Sequence, residues 1–224
     1  MKGAIAVFVK TPGLSPVKTR LSATIGHQLA EYFFRLAKQA TEAVVQQAIP
    51  LFAEQGIELA GYWAVGEEKG LGNPLWQGKG MQRLYTGPGG LGERMHHIYS
   101  TLLKTHDFVL LAGVDCPQNS AENLLEAAQF LQQPDSCVIG PAVDGGFYLF
   151  GGNTPVPLEY WTAVQYSRED TLKQFLAKLN AYSLHYLGAR TDVDTQSDLY
   201  AMMDEMEGEL LPEQLALVSF VDRL

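Results

Sequence analysis

The stretch AIAVFVKTPGLSPVKTRL, residues 4–21, decides how this chain is read. Residues 4–9 are apolar and rich in β-branched and aromatic side chains, the composition of one buried strand. The run stops at Lys10. A turn-forming segment follows, Thr11-Pro12-Gly13-Leu14-Ser15-Pro16, and then Lys18, Thr19 and Arg20. A central strand therefore delivers a rigid loop carrying three cations, Lys10, Lys18 and Arg20. Ligands of open α/β sheets sit outside the carboxyl ends of the strands. A cationic loop there suits a phosphorylated ligand. Arg presents a planar fork to phosphate oxygens, and Lys a mobile point charge. The plain alternative is a solvated surface turn. G-x-x-x-x-G-K-[ST] is absent, so the loop is not a P-loop.

Working outward, strand-like and helix-like segments alternate. Residues 27–48 show apolar positions at three- and four-residue steps, which predicts a helix that Pro50 closes. Residues 57–65 and 81–85 read as strands, and 66–80 as a surface excursion rich in glycine and charge. After the loop Thr86-Gly87-Pro88-Gly89-Gly90 comes a helix over 91–104. Residues 107–113 (DFVLLAG) form a continuous apolar run, as parallel strands buried on both faces do. A helix capped by Asn119 or Ser120 follows. Residues 136–142 and 147–150 are strands joined too closely for a crossover helix, so the second is antiparallel. Later segments predict a helix over 168–179, a strand over 182–187, a helix from Thr195 or Ser197 to Met206, and a last helix over 212–224. The class is α/β: one domain over residues 1–224 with a mixed, mostly parallel sheet between helices.

At 224 residues the chain is long enough to bury a substantial core. Hydrophobic residues make up 46% and charged residues 18%, as in a folded soluble protein. The formal net charge of −9 with no basic run argues against nucleic-acid binding, which relies on phosphate neutralisation. No apolar run reaches the length of a membrane span, and the opening run is too short for a signal peptide. Cys116 and Cys137 adjoin apolar runs without zinc-ligand spacing, and read as buried free thiols. The expected compartment is the cytoplasm.

Three acidic strand ends answer the cationic loop. Asp115 follows the 107–113 run and precedes Cys-Pro. It could hold a divalent cation against a diphosphate, or serve as a turn residue. Asp144-Gly145-Gly146 combines a carboxylate with two glycines that permit close backbone approach to a ligand, or forms a tight β-turn. Asp192-Val193-Asp194 places two carboxylates where they could share a cation, or where one could cap a helix. Gly92-Glu93-Arg94-Met95 opens a helix whose N–H groups favour an anion; Glu93 could instead favour the helix dipole. The histidines show no ligand spacing. Together these residues describe a grip on a nucleotide diphosphate, partly through a metal.

The motifs K-x-P…V-K-T-R-L at 10–21, L-G-E-R-M at 91–95, D-C-P at 115–117, G-P-x-x-D-G-G-F-Y-L at 140–149 and D-V-D-T…D-L at 192–199 occur in this order. The set resembles a family of small bacterial GT-A-fold proteins regarded as glycosyltransferases, some associated with arsenosugar biosynthesis. The resemblance spans nearly the whole chain. It implies a nucleotide-diphospho-sugar transferase-like fold with the nucleotide at the carboxyl edge of the first strands. It implies phosphate contacts from Lys18 and Arg20, to which the reading of the residues adds Lys10, Gly92 and Arg94. It implies Asp115 at the metal, Mg²⁺ or Mn²⁺, to which the reading of the residues adds Asp194. Gly145 and Gly146 would line the acceptor or sugar side, with Asp144 as the catalytic candidate. The implied partners are a nucleotide-sugar donor and a small acceptor. The chain departs from the family at Ser15, at Gly90 where Asp is common, and at Tyr166-Ser167 where Trp-Ser is common. Nucleotidyltransferases that activate phosphorylated hydroxy acids share the K-T-R-L-like loop and D-G-G, so nucleotidyl transfer is the alternative reaction. A non-catalytic nucleotide-binding protein is the third.

Overall fold

The structure is a computed structural model that describes residues 1–78 and 80–224. The opening apolar run is strand β1 (Lys2–Val9), inside a seven-stranded sheet ordered β3-β2-β1-β4-β6-β5-β7. The other strands are β2 (Glu58–Val65), β3 (Gln82–Tyr85), β4 (Phe108–Gly113), β5 (Ser136–Pro141), β6 (Phe147–Gly152) and β7 (Ser183–Tyr186). β1 pairs in parallel with β2 and β4. β6 is antiparallel to both of its neighbours, β4 and β5. The tight turn at Asp144 leaves no chain for a crossover, so β6 returns beside β5. The sheet is mixed and mostly parallel, as the sequence implies.

Helices cover both faces, which explains the unbroken apolar runs of β1 and β4. The helices are α1 (Thr19–Ile25), α2 (His27–Glu54), α3 (Leu91–Leu102), α4 (Ala121–Phe130), α5 (Leu158–Thr162), α6 (Thr171–Leu176), α7 (Gln196–Asp204) and α8 (Pro212–Val221). Ile5, Val7 and Val9 of β1 join a cluster with Phe34 and Val44 of α2 and Leu124 of α4. Ala4 and Ala6, on the opposite face, join Met95 and Ile98 of α3 and Trp161 of α5. The period-two alternation of a strand sends these two sets to opposite layers. A third cluster, with Leu21, Phe33, Leu199 and Leu217, ties α1, α7 and α8 to α2.

The helix predicted over 168–179 is shorter, α6, and α5 was not predicted; three further differences bear on the site. Pro50 lies inside α2 and does not close it. Proline removes one helical hydrogen bond, but Phe52 beyond it is fully buried, and that packing carries the helix on. Residues 19–25 are helical, so the cationic loop ends at Lys18, the N-cap of α1. Residues 66–80 are no plain surface excursion: among those described, Trp76 is fully buried. Its indole Nε1 donates to Thr11 Oγ1 at 3.1 Å, while Thr11 N–H donates to Glu67 Oε2 at 2.9 Å. The excursion thereby clamps the start of the cationic loop.

Candidate functional site

β1 leads outward to β2 and β3 on one side, and β4 opens the other half of the sheet. Such a reversal in strand order opens a crevice at the carboxyl ends. A cavity of about 480 Å³ lies there, lined by Val9 at the end of β1 and Lys10 after it, by Val114 and Asp115 after β4, and by Asp192 and Asp194 after β7.

The three cations of the first loop do different things. Lys10 lines the cavity and is exposed; it makes no hydrogen bond or ion pair among the described residues. Lys18 is buried, its side chain 4% exposed, and its Nζ lies 2.6 Å from Asp115 Oδ1. The same ammonium donates to the Val193 carbonyl. Burial by itself would lower the Lys18 pKa; the charges of Asp115, Asp192 and Asp194 outweigh that and hold it above its ordinary value. Its backbone is left-handed, φ 46°, an uncommon state for a residue with a Cβ. Lys18 thus ties together the loops after β1, β4 and β7. Arg20 stays at the surface and pairs with Asp194 Oδ2 at 2.6 Å.

The carboxylates divide as well. Asp144, Asp192 and Asp194 each offer an oxygen within 4.8 Å of the others, a set able to hold a metal ion. Asp115 stands outside that set, engaged by Lys18. Asp192 and Asp194 are half-buried and Asp144 is exposed. Desolvation first, and then the charges of Asp115, Asp194 and Asp144, push the Asp192 carboxyl up to about 7 against the opposing pull of Lys18. Three hard oxygen donors short of positive charge fit a hard divalent cation. The helix-capping role open to Asp192 and Asp194 falls to Thr195, the N-cap of α7, in a capping box with Asp198, whose Oδ2 accepts from Asp194 N–H at 3.0 Å and Thr195 N–H at 2.6 Å. The Thr195-x-x-Asp198 spacing carried that signal. Burial pushes the Cys116 thiol well above its ordinary pKa, so it stays protonated beside the site.

The glycine motifs act on packing. Gly92 is buried and is not among the residues that line the cavity. A Cβ there would lie 2.3 Å from the Trp161 carbonyl oxygen. Gly92→Ala should therefore cost about 2 kcal/mol by overpacking, read as a lower urea midpoint at unchanged slope. Glu93 Oε2 accepts from Gly90 N–H at 2.6 Å and closes the start of α3. Arg94 lines the cavity and donates to the Gly66 and Gly89 carbonyls at 3.0 and 2.9 Å, holding two loops together. Gly145 has φ +90°, and Gly146 N–H donates to Asp144 Oδ1 at 2.9 Å.

This arrangement of mixed sheet, switch-point cavity and facing charges is the fold of nucleotide-diphospho-sugar transferases. Residues 60–168 match the family model described as "Uncharacterized protein conserved in bacteria (DUF2064)". A structure from Desulfovibrio desulfuricans G20, described as a "putative nucleotide-diphospho-sugar transferase", is 25% identical; the match covers 98% of this chain and 97% of that one, with a TM-score of 0.76. The 4-diphosphocytidyl-2C-methyl-D-erythritol synthase of Anaerococcus prevotii DSM 20548 shares the fold at 11% identity, over 92% and 94% of the two chains, with a TM-score of 0.54. A nucleotidyl transferase from a Methanothermobacter species does so at 15% identity, over 92% and 96%, with a TM-score of 0.53. No curated protein matches the sequence. Among the described residues, no helix is long and apolar enough to cross a membrane.

Proposed function

We propose that the protein is a glycosyltransferase that moves a sugar from a nucleotide-diphospho-sugar to a small acceptor. The observation that carries this reading is one cavity at the switch point with a cationic loop on one wall and, on another, Asp192 and Asp194, two members of a carboxylate cluster that Asp144 completes from beside the cavity. The likeness to the Desulfovibrio transferase over nearly the full length of both chains supports it. Asp144, Asp192 and Asp194 would hold Mg²⁺ or Mn²⁺, with Asp115 beside them as the partner of Lys18. The cation would neutralise the diphosphate and stabilise charge on the leaving group.

The chain's own residues bind and orient. Lys10 offers its ammonium to the phosphates. Arg20 keeps guanidinium donors free beyond the one bonded to Asp194. Lys18 fixes the loop that presents both. Asp144 belongs with the metal carboxylates, one of its oxygens already bonded to Gly146 N–H. A triphosphate demands more positive charge than a diphosphate-sugar. Lys18 and Arg20 are held by carboxylates and Arg94 by carbonyls, which favours the diphosphate donor. A cavity of about 480 Å³ is in the range of small-molecule sites.

The test is incubation with Mn²⁺ and separate pools of nucleotide-sugars and nucleoside triphosphates, each with a panel of small acceptors. Release of nucleoside diphosphate from one nucleotide-sugar is expected. Pyrophosphate release that depends on a phosphorylated acid would overturn the reading in favour of nucleotidyl transfer.

A further inference from the structure

Ser167 lines the cavity from the segment between α5 and α6. Its backbone is left-handed, φ 61°. Among the described residues, the non-glycine positions with positive φ are Lys18, Asp135 and Ser167, and the first and last of these line the cavity. Such a conformation costs about 1–2 kcal/mol for a residue with a Cβ. It persists where the surrounding structure over-determines it.

Two glycines do so here. At one end of the segment the Trp161 carbonyl occupies the space beside Gly92, 2.3 Å from where a Cβ would stand. The Tyr166 hydroxyl donates to that same carbonyl at 2.8 Å. At the other end the Glu169 carbonyl lies 2.0 Å from where a Gly145 Cβ would stand, and Leu172 N–H donates to the Gly145 carbonyl at 2.9 Å. The segment is therefore seated between the start of α3 and the Asp144 turn. Its flanking polar groups are spent internally. Gln165 N–H donates to Gln174 Oε1 at 3.0 Å, and Arg168 N–H to Thr171 Oγ1 at 3.1 Å. By contrast, the Ser167 hydroxyl, N–H and carbonyl make no hydrogen bond among the described residues.

We infer that Ser167 contacts the sugar of the nucleotide-sugar and helps to select it. This rests on the nucleotide-sugar reading above. A sugar hydroxyl both donates and accepts, and Ser167 offers a donor, an acceptor and a hydroxyl that is both. Phe147 and Tyr148 line the cavity as well and supply apolar surface for a sugar ring. Asp144, in the turn that seats the segment, belongs to the candidate metal cluster. The sugar would then lie next to its own diphosphate.

Calorimetry on the full chain with Mn²⁺ tests this with paired probes: UDP and UDP-glucose, GDP and GDP-mannose, TDP and TDP-glucose. The variant is Ser167→Gly, which suits the left-handed backbone and removes the hydroxyl. For the pair that the parent binds, the variant should hold the bare diphosphate within about twofold. It should bind the sugar nucleotide about tenfold more weakly, the worth of one hydrogen bond. Its thermal midpoint should equal or exceed the parent's. Equal affinities for both probes, or equal losses on both, would overturn the assignment. So would a lower midpoint, which would give the hydroxyl a structural role. If the parent binds none of the pairs, the nucleotide-sugar reading fails and this inference with it; binding by the parent without discrimination by the variant sinks the inference alone.

Discussion

Lys18→Met is expected to lower the free energy of unfolding by about 3 kcal/mol, a large share of a domain's margin. The side chain is 4% exposed and joins loops that follow three different strands, through Asp115 Oδ1 at 2.6 Å and the Val193 carbonyl. Removing one partner of a buried pair leaves the other charge uncompensated, a loss of about 3–5 kcal/mol. The lower end applies because Asp115 is 42% exposed and water takes up part of its charge. Asp192 also loses the nearby cation that lowers its pKa. Adding Asp115→Asn to the variant should restore part of the loss, since the orphaned charge goes with it. Arg20→Ala should cost no more than about 1 kcal/mol, because its pair with Asp194 is at the surface. Urea unfolding of the four proteins measures this. A Lys18→Met midpoint equal to the parent's would mean that Lys18 is a free phosphate ligand and no strut.

The buried half of the sheet was legible because its strands carry apolar side chains on both faces. Phe108 to Ala112 has no polar interruption, and the short Asp144 turn could return β6 only antiparallel. The site was legible to the level of which strand ends meet. Lys10, Lys18, Asp115, Asp192 and Asp194 all line one cavity, and Asp144 adjoins it through the carboxylate cluster. What spacing could not assign is which charge pairs with which. Lys18 and Asp115 are 97 residues apart in sequence, from the difference of their numbers. Their pairing depends on β1 and β4 being neighbours, and equally good partners were available at each strand end. Gly92 and Gly145 look alike to a motif reading that allows glycine a ligand or a turn. Their crowding by Trp161 and Glu169 needs the segment from α5 to α6 in place. α5 itself has five residues, too few to show a helical period. Trp76 was missed because the glycine and charge around it mask the side chains that pack inward, Trp76 itself with Leu71 and Leu75 beside it.

Asp192→Asn and Asp194→Asn should each weaken Mn²⁺ binding by at least about a hundredfold, while Asp115→Asn leaves it within about threefold. Loss of a partner that merely orients a ligand costs about 10–100-fold, so loss of a ligand charge should cost more. Geometry sets the contrast among the three aspartates. Asp192 and Asp194 each present an oxygen within 4.8 Å of the others in the cluster, whereas Asp115 spends its charge on Lys18 at 2.6 Å. Asn keeps the shape and one oxygen of each side chain, so loss of charge is what the variants report. Asp194 carries a competing cation, because Arg20 holds one of its oxygens at 2.6 Å. Arg20→Ala should therefore tighten Mn²⁺ binding in the protein without nucleotide and weaken nucleoside diphosphate binding in its presence. Calorimetric titration of MnCl₂ into each protein, and of nucleoside diphosphate at saturating Mn²⁺, reads both effects. The thermal midpoint should follow, since a ion bound to the folded state raises it by mass action. If Asp115→Asn were the variant that lost Mn²⁺, the ion would sit at the end of β4 and Lys18 would have to leave Asp115 to admit it. Unchanged Mn²⁺ affinity in all three variants would remove the metal from this cavity, and with it the proposed means of stabilising the leaving phosphate.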